Sequence, residues 1–303
     1  MSRVIKLPIN GILLVNKPEG LSSNGVLQKV KHLYHARKAG HTGSLDPMAT
    51  GMLPICFGEA TKLCQYLLDA DKCYEATALL GIKTNTGDAT GDIISCVDEF
   101  SVSKNKLAQV LAQFTGHIKQ VPSMFSALKY QGTPLYKFAR AGIEIARPAR
   151  DIYIQQIQLS QFDGRQIKLI VYCSKGTYIR NLIEDIGDAL ETGAHVTRLH
   201  RLHTAGFNDD PMYTMDELFE KLPEQRMHCL LPMERAVSYL PAIELFPDEV
   251  VALRQGKRVA HPRLNHHVSC VQLYDHNKQF IGLGEIPVAG ILKVRRLISE
   301  LVT

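Results

Sequence analysis

The spacing of apolar residues along the chain changes repeatedly between the helical period and the pattern of a β-strand. Helical spacing is clearest in residues 177–190, where five apolar side chains share one face: Ile179, Leu182, Ile183, Ile186 and Leu190. Candidate caps at 22–24 (SSN) precede another helix, which continues through four apolar positions: Val26, Leu27, Val30 and Leu33. Further helices are predicted at 59–68, 104–114, 134–141, 214–222 and 248–255.

Apolar runs and alternating segments predict the strands. They lie at 11–17, 52–58, 72–82, 150–161, 167–173, 194–207, 268–273, 280–286 and 291–297. Residues 150–161 and 167–173 flank an Asp163-Gly164 turn, so we expect them to pair as a hairpin. The turn-rich segment 83–92 contains Asp88 and Asp92, but it lacks the ligand spacing of a calcium loop. A hairpin loop is therefore predicted there.

Length and composition bound the architecture. A chain of 303 residues exceeds the size at which one core usually stops growing, so we expect a main domain at 1–245 and a small β-rich domain at 246–303. No apolar run reaches the ~20 residues that cross a bilayer, and no secretory signal develops at the start. Seven scattered cysteines without a Cys-x-x-Cys pair argue against disulfides and zinc. We expect a soluble cytoplasmic protein.

The net charge of +5 is concentrated at the carboxyl end. Residues 251–303 hold three acidic residues against eight basic ones: Arg254, Lys257, Arg258, Arg263, Lys278, Lys293, Arg295 and Arg296. The first helix ends in a second basic patch, which contains Lys29, Lys31, His32, His35, Arg37, Lys38 and His41. Either patch is a binding surface for phosphates or simply a solvated face.

The segment 40–58 is the strongest candidate for chemistry. It holds four glycines and two prolines around Asp46, with His41 nearby, and it has hardly any periodicity. A turn aspartate in isolation is usually a cap. The chain contains none of the phosphate-loop, dinucleotide, His-Glu-x-x-His or Gly-x-Ser-x-Gly motifs. We therefore expect no nucleotide cofactor, no metal and no serine nucleophile.

Five strings, in order along the chain, resemble one known family. GHTGSLDPMATGMLP at 40–54 is similar to the catalytic motif of the TruB family, the bacterial tRNA pseudouridine-55 synthases. The other four strings lie at 16–23 (NKPEGLSS), 72–92, 120–142 and 173–187 (CSKGTYIRNLIEDIG). The resemblance implies an α+β fold: a pseudouridine-synthase-like catalytic domain on a mixed sheet, followed by a small β-rich PUA-like RNA-binding domain.

The same resemblance implies the activity and the partners. The enzyme isomerises uridine 55 in the T loop of tRNA to pseudouridine, without a cofactor and without redox change. The uracil is retained, so one carboxylate suffices where a glycosidase requires two. We expect the T stem-loop of tRNA as the partner, no membrane, no guide RNA and a monomeric enzyme.

Individual site residues are carried over by motif. Asp46 corresponds to the catalytic nucleophile, and Arg180 to its ion-pair partner, which is expected to lower the pKa of Asp46. Tyr74 corresponds to the tyrosine that stacks on the target base and is a candidate proton shuttle. The expected substrate-binding residues are His41, Tyr178, Leu199 and Lys17.

Two basic surfaces are expected to hold RNA phosphates while the target base is extruded. One is the patch that contains Lys29 and Lys38, and the other is the cluster of His195, Arg198, His200 and Arg201. Ser123, Phe125 and His200 depart from the family pattern, and we expect none of them to contact Asp46, Tyr74 or Arg180. Three alternatives stay open: a non-catalytic RNA-binding or tRNA-folding module, a guide-RNA-dependent synthase, and a nucleoside hydrolase or glycosidase.

Overall fold

A computed structural model describes residues 5–204, 206–261 and 266–299. Its strands are β1 (Gly11–Lys17), β2 (Ala39–His41), β3 (Thr50–Phe57), β4 (Lys72–Leu80), β5 (Ile82–Thr84), β6 (Ile93–Cys96), β7 (Gly116–Gln120), β8 (Lys129–Tyr130), β9 (Thr133–Pro134), β10 (Arg150–Phe162), β11 (Gln166–Cys173), β12 (Ala194–Thr204), β13 (Ala242–Glu244), β14 (Val259–Ala260), β15 (Val268–Tyr274), β16 (Phe280–Val288) and β17 (Ile291–Leu297).

The α-helices are α1 (Ser23–Leu33), α2 (Cys64–Leu68), α3 (Lys104–Gln113), α4 (Leu135–Arg140), α5 (Ile179–Ala189), α6 (Met215–Glu220), α7 (Pro223–Met227) and α8 (Pro247–Arg254). Two 3-10 helices lie at Gly58–Leu63 and Met233–Val237. The helix predicted at 59–68 is therefore a 3-10 turn that passes into a short α-helix.

A mixed sheet forms the body of the molecule. Its strand order is β1-β3-β12-β4-β11-β10-β7, and β2 pairs with the last three residues of β3, beyond the part of β3 that pairs with β12. The pairing of β12 with β3 is parallel and every other pairing in this order is antiparallel. Helices α3 and α5 pack their apolar residues against β4, β10, β11 and β12 to form the largest buried core. The α+β fold class is thus confirmed.

Local sequence signals explain where several elements start. The Ser22 hydroxyl accepts a hydrogen bond from the Gly25 amide at 3.0 Å, which caps α1 as predicted. Strands β10 and β11 pair as the predicted hairpin, and Asp163 accepts hydrogen bonds from the amides of Arg165 and Gln166 in the turn. The α5 face that sequence spacing indicated is buried.

The strand predicted at 72–82 is wrong at its end. Strand β4 stops at Leu80, because Gly81 has a φ of +91° and its hydrogen faces Phe100 where a Cβ would lie 2.7 Å away. The chain turns there into β5, which leaves the main sheet and pairs with β6. The hairpin predicted around 83–92 is confirmed, and its loop is directed at the centre of α5.

A second sheet, of order β13-β15-β16-β17-β14, packs behind β1 and β3. The Lys62 ammonium donates to the Leu297 carbonyl at 3.0 Å, and the Ser299 amide donates to Glu59 at 2.6 Å. These contacts fasten the second sheet to the catalytic body. Because β13 begins at Ala242, the second sheet includes residues ahead of position 245, and the division after 245 stays a prediction.

The sequence predicts no membrane span and a basic carboxyl-terminal segment. None of the helices in residues 5–204, 206–261 and 266–299 is both long and apolar enough to cross a membrane. In the basic tail, Lys293 pairs with Glu285 at 2.9 Å. Arg263, which the charge count includes, lies outside the described residues.

Candidate active site

The loop at 42–49, which contains Asp46 and is called the catalytic loop below, connects β2 to β3 at one end of the mixed sheet. The buried Ser23 hydroxyl binds both backbone groups of Leu45: it donates to the carbonyl at 3.0 Å and accepts from the amide at 2.7 Å. The Ala49 amide donates to the Asp46 carbonyl at 3.1 Å. The start of α1 therefore holds the loop directly next to Asp46.

Lys17 is a further anchor of this loop, not a group on the cavity surface. Its side chain is 0% exposed, and its ammonium donates to three carbonyls: Pro18 at 2.8 Å, Leu21 at 2.7 Å and Pro47 at 3.2 Å. All three N–H groups are occupied, so direct substrate binding by Lys17 does not fit this geometry. Its charge still acts on Asp46, whose pKa it lowers.

Asp46 and Arg180 form an ion pair, with Arg180 Nε 2.9 Å from Asp46 Oδ2. The Arg180 side chain is 4% exposed and is bound on every side. Its Nη1 donates to the Thr86 carbonyl at 2.7 Å, and its Nη2 donates to the Phe125 carbonyl at 2.8 Å. The expectation that Phe125 does not contact Arg180 is therefore wrong, although the contact is made by the backbone. Three predicted motif segments therefore converge on one guanidinium, which has little freedom to move.

Asp88 is a functional residue that sequence reasoning missed. Its Oδ2 lies 3.3 Å from Arg180 Nη1, and the carboxylate is buried. Its Oδ1 accepts from the Thr86 hydroxyl at 2.9 Å, the Thr90 amide at 3.0 Å and the Thr90 hydroxyl at 2.6 Å. The turn chemistry of 83–92 concealed this role, although the segment's resemblance to a family motif was a usable signal.

The pKa of Asp46 is raised, which corrects the expected direction. Burial raises it most, Arg180 opposes this, and the nearby charge of Asp88 raises it further, while Lys17 lowers it. Arg180 does stabilise the carboxylate, but it shares its charge with Asp88. The carboxylate of Asp46 is therefore more basic than that of an exposed aspartate.

Two adjoining cavities meet at Asp46. The larger, about 710 Å³, extends past the start of α1, His41 and Phe125 towards α4. The smaller, about 390 Å³, extends past Tyr74 and Leu199. These volumes lie in the range of small-molecule binding sites.

Tyr74 and Leu199 lie on neighbouring strands in the wall of the smaller cavity. Tyr74, on β4, pairs in register with Val171 of β11 and Arg201 of β12. Both side chains are largely buried. Burial raises the pKa of Tyr74, and the adjacent Arg201 guanidinium opposes that rise. A neutral phenol ring thus faces the cavity.

Tyr178 lines the same cavity at the start of α5. The buried Gln120 side chain fixes its backbone: Gln120 Oε1 accepts from the Tyr178 amide at 2.8 Å, and Gln120 Nε2 donates to the Tyr178 carbonyl at 3.0 Å. Gln120 was not identified as functional in sequence. This double hydrogen bond sets where α5 begins and hence where Arg180 lies.

His41 lines the larger cavity. Burial lowers its pKa first, and Arg201 lowers it further, so the imidazole is neutral at physiological pH. Its buried Nδ1 has no hydrogen-bond partner within the described residues. An unpaired buried nitrogen is costly, which is consistent with a contact that forms when substrate binds.

The structure corrects the expectation that the basic cluster on β12 is a phosphate-binding surface. Arg201 is 1% exposed; its Nε donates to the Met52 carbonyl and its Nη2 to the Gly43 carbonyl, each at 2.7 Å. His195 is also buried, with Nδ1 2.9 Å from the Ile82 carbonyl. Neither residue can hold a phosphate on the surface. Arg198 is exposed, and His200 is half-buried with Nδ1 2.7 Å from the Thr50 hydroxyl.

Arg201 instead fastens the catalytic loop to the sheet. Strand β12 lies between β3 and β4, and Arg201 pairs with Gly51 on one side and Tyr74 on the other. A Cβ on Gly51 would lie 2.3 Å from the Arg201 carbonyl, so the strands approach closely at this point. Among the described residues, no three His, Cys, Asp or Glu side chains form a group suited to a metal ion.

Comparison with known proteins agrees with these motifs. The model for the TruB family pseudouridylate synthase N-terminal domain matches residues 31–179. Two further models match after it: the tRNA pseudouridylate synthase B C-terminal domain at 180–238, and the C-terminal region of pseudouridine synthase II TruB at 241–298. Together the three models cover most of the chain.

Curated relatives are similar over almost their whole length. A protein of Legionella pneumophila subsp. pneumophila, named tRNA pseudouridine synthase B, is 57% identical over 96% of this chain and 96% of its own. A protein of Tolumonas auensis with the same name is 49% identical over 96% of this chain and 92% of its own.

Solved structures share the fold. The chain matches a crystal structure of a Cbf5-Nop10-Gar1 complex with a TM-score of 0.73 and 27% identity, over 95% of this chain and 84% of that one. It matches an H/ACA RNP bound to a substrate RNA containing 2'-deoxyuridine with a TM-score of 0.72 and 25% identity, over 96% and 85% of the two chains. With the ordered motifs, the Asp46–Arg180 pair and relatives of this identity, the chain belongs to the TruB family of pseudouridylate synthases.

Proposed function

We propose that this chain converts uridine 55 in the T loop of tRNA to pseudouridine, with Asp46 as the nucleophile. The observation that carries the proposal is the ion pair between Asp46 and the buried Arg180, at the junction of two cavities. The relatives named tRNA pseudouridine synthase B support tRNA as the substrate. The target uridine and the residue roles are inferred from the matching motifs.

The two cavities suggest how an extruded nucleotide is held. The base enters the smaller cavity beside Tyr74, with Tyr178 and Leu199 completing its wall. The ribose then lies next to Asp46, and His41 faces the flanking nucleotide in the larger cavity. Extrusion from a folded loop costs a few kcal/mol of unstacking, which contacts in both cavities offset.

The carboxylates favour isomerisation over glycoside hydrolysis. A glycosidase needs two carboxyl groups that act on the bond and on water. Here Asp88 is buried and engaged with Arg180, Thr86 and Thr90, so Asp46 is the carboxylate of this pair that remains for the substrate. With a single reacting carboxylate, the detached uracil stays in its cavity and rebonds through carbon 5.

The remaining partner assignments belong to this proposal. The enzyme recognises the T stem-loop of tRNA directly, without a guide RNA, and acts as a monomer in the cytoplasm, where its substrate is found. Lys29 lies on α1, whose first residues line the larger cavity, and Arg37 and Lys38 lie just after this helix; all three side chains are exposed. They are candidates for contacts with RNA phosphates, as is the second, β-rich domain.

Tritium release tests the proposal. An unmodified tRNA transcript labelled at carbon 5 of uridine is incubated with the purified protein alone, without metal, nucleotide or guide. Label should leave stoichiometrically from one T-loop uridine, and Asp46→Asn should abolish release while tRNA binding stays within about twofold. Asp92→Asn, an exposed aspartate of the β5–β6 hairpin, is the matched control and should keep full activity.

Other outcomes point to the rival functions. Binding of tRNA without any release of label would favour an RNA-binding or tRNA-folding module. Free uracil among the products would identify a glycosidase. A requirement for an added guide RNA would identify a guide-dependent synthase.

A further inference from the structure

Lys72 is a buried cation in the wall of the smaller cavity, which the proposed function assigns to the uracil base. It opens β4 two residues before Tyr74, so the two side chains lie on the same side of the strand. The residue is 9% exposed and lines the smaller cavity. Its ammonium donates to the Leu68 carbonyl at 2.8 Å and to the Ala70 carbonyl. One of its three N–H groups has no partner in the part of the chain that the structure describes.

No carboxylate neutralises this charge within the described residues. Asp69 and Asp71 follow α2 and are the nearest acidic groups, but Asp69 pairs with Lys175 at 2.7 Å and Asp71 accepts from Gln155 at 3.2 Å. Arg201 of β12 adds a second positive charge. Burial lowers the pKa of Lys72 to about 8, and Arg201 contributes to this lowering. Asp69 and Asp71 raise the pKa of Lys72 only weakly, so their charges offset burial in part. A buried ammonium without an ion-pair partner is destabilising, which is typical of a site built for an anion.

The other cations of the same cavity are already engaged. Arg180 is shared between Asp46 and Asp88, and Arg201 binds two backbone carbonyls. Cys173, the titratable group that faces Lys72 from β11, has a pKa raised by burial to about 12 and is therefore neutral. Lys72 is thus the cation of this wall that has an N–H available for a bound group.

The proposed reaction produces an anion in this cavity. When the bond between ribose carbon 1′ and uracil nitrogen 1 breaks, both bonding electrons stay with the base, which carries one negative charge. Asp46 bonds to carbon 1′ as nitrogen 1 leaves, and carbon 5 then bonds to carbon 1′ and displaces the Asp46 carboxylate, which consumes the charge on the base. The proton on carbon 5 then leaves and nitrogen 1 gains one, so composition is unchanged and Asp46 is again a free carboxylate. We propose that Lys72 is a further catalytic residue, whose free N–H stabilises the negative charge on the detached uracil.

This inference rests on the proposed function, and three variants test it. Tritium release is measured in single turnover at saturating tRNA, across neutral and alkaline pH, for Lys72→Met, Lys72→Arg and the control Lys168→Met. Lys168 lies on the adjacent β11 and pairs with Glu75 at 3.0 Å, away from the cavity. Lys72→Met should lower the rate by on the order of 10²-fold with the Kd for tRNA unchanged.

The pH profile separates a catalytic from a structural role. The protonated amine is the active form, so the wild-type rate should fall as pH rises through the pKa of Lys72, about 8. Lys72→Arg should recover part of the activity and keep it at higher pH, since a guanidinium stays charged. Lys72→Met should lack this decline. Lys168→Met should behave as the wild type.

Three results would overturn the inference. In the first, Lys72→Met weakens tRNA binding and reduces the slope of log K against log salt concentration by about one, while the rate of tritium release from bound tRNA is unchanged. This result would mean that Lys72 binds a phosphate instead of the uracil. In the second, the wild-type rate shows no decline near the pKa of Lys72, which decides the question even if Lys72→Met does not fold. In the third, Lys72→Met retains the wild-type rate. Absence of release from the wild type itself would instead refute the proposed function.

Discussion

Asp88 Oδ2 lies 3.3 Å from Nη1 of Arg180, the same guanidinium whose Nε contacts Asp46. The buried arginine is therefore divided between two carboxylates, one fixed by Thr86 and Thr90 and one facing the cavity. This division orients Arg180 but leaves Asp46 with only part of its charge. Burial is the main cause of the raised pKa of Asp46, and the negative charge of Asp88 adds to it against the ion pair with Arg180.

Replacing Asp88 should move the acid limb of the pH–rate profile, which is the decline in the rate of tritium release as pH falls, to lower pH. In Asp88→Asn the amide oxygen still accepts from Thr90, while Arg180 neutralises Asp46 alone, so the pKa of Asp46 falls. Because Asp46 reacts as the anion, the rate of wild-type tritium release should decline as pH falls through its raised pKa, and the variant should decline later. At neutral pH the less basic carboxylate should react about tenfold more slowly.

The control is Asp92→Asn in the same hairpin, where the exposed carboxylate accepts from Asn85 at 3.2 Å. It should leave both the acid limb and the neutral rate unchanged. An acid limb that stays in place in Asp88→Asn would contradict the electrostatic role assigned to Asp88.

Lys17 should act on the same limb in the opposite direction. Its ammonium lowers the pKa of Asp46, so Lys17→Met should raise that pKa further and move the acid limb to higher pH. The lost hydrogen bonds to the Pro18, Leu21 and Pro47 carbonyls should also lower the free energy of unfolding by about 1–3 kcal/mol. Rate–pH profiles and urea unfolding measure the two effects separately.

Exposed Lys104 on α3 provides the comparison, since Lys104→Met removes a charge without a loop contact. A weaker tRNA affinity in Lys17→Met with an unmoved acid limb would instead support the substrate contact that the motif had suggested.

The motifs predicted which residues form the site better than they predicted what holds it. Asp46 and Arg180 stand in recognisable strings, so their pairing could be inferred from sequence. Arg201 occurs in an alternating basic segment typical of a surface strand, and its burial depends on β12 lying between β3 and β4. The one sequence signal was that Arg201 falls two residues after apolar Leu199, on the same face.

Asp88 was not predicted for a related reason. Its partner Arg180 lies in a segment distant along the chain, and hairpin composition alone cannot distinguish a turn aspartate from a buried one. The direction of the Asp46 pKa was wrong because burial and a second carboxylate are properties of the assembled site. The predicted end of the strand at 72–82 was wrong, because the chain turns at Gly81, where it packs against Phe100.

Arg201→Lys should separate loop anchoring from charge. Lysine keeps the positive charge near Tyr74 and His41, but it cannot bind the Met52 and Gly43 carbonyls together. We expect a loss of about 2–3 kcal/mol in the free energy of unfolding and a slower rate at saturating tRNA, with little change in Kd. Urea unfolding and single-turnover release provide the measurements.

Arg198→Lys is the matched control on the same strand, because Arg198 is exposed. It should leave stability and the bound-state rate unchanged. Equal effects in both variants would refute the anchoring role of Arg201.

The basic patch after α1 should contribute affinity without contributing to chemistry. Lys29, Arg37 and Lys38 are exposed, and none of them lines either of the two cavities at Asp46. In the double variant Lys29→Ala/Lys38→Ala, tRNA binding should weaken and the slope of log K against log salt should fall by about two, as expected for two lost phosphate contacts. The rate from bound tRNA should stay the same, because neither side chain reaches Asp46.

The control is the double variant Lys104→Ala/Lys106→Ala, which removes the same charge from two exposed lysines of α3. If both double variants weaken binding equally, the effect is one of net charge, and the patch after α1 is a solvated surface.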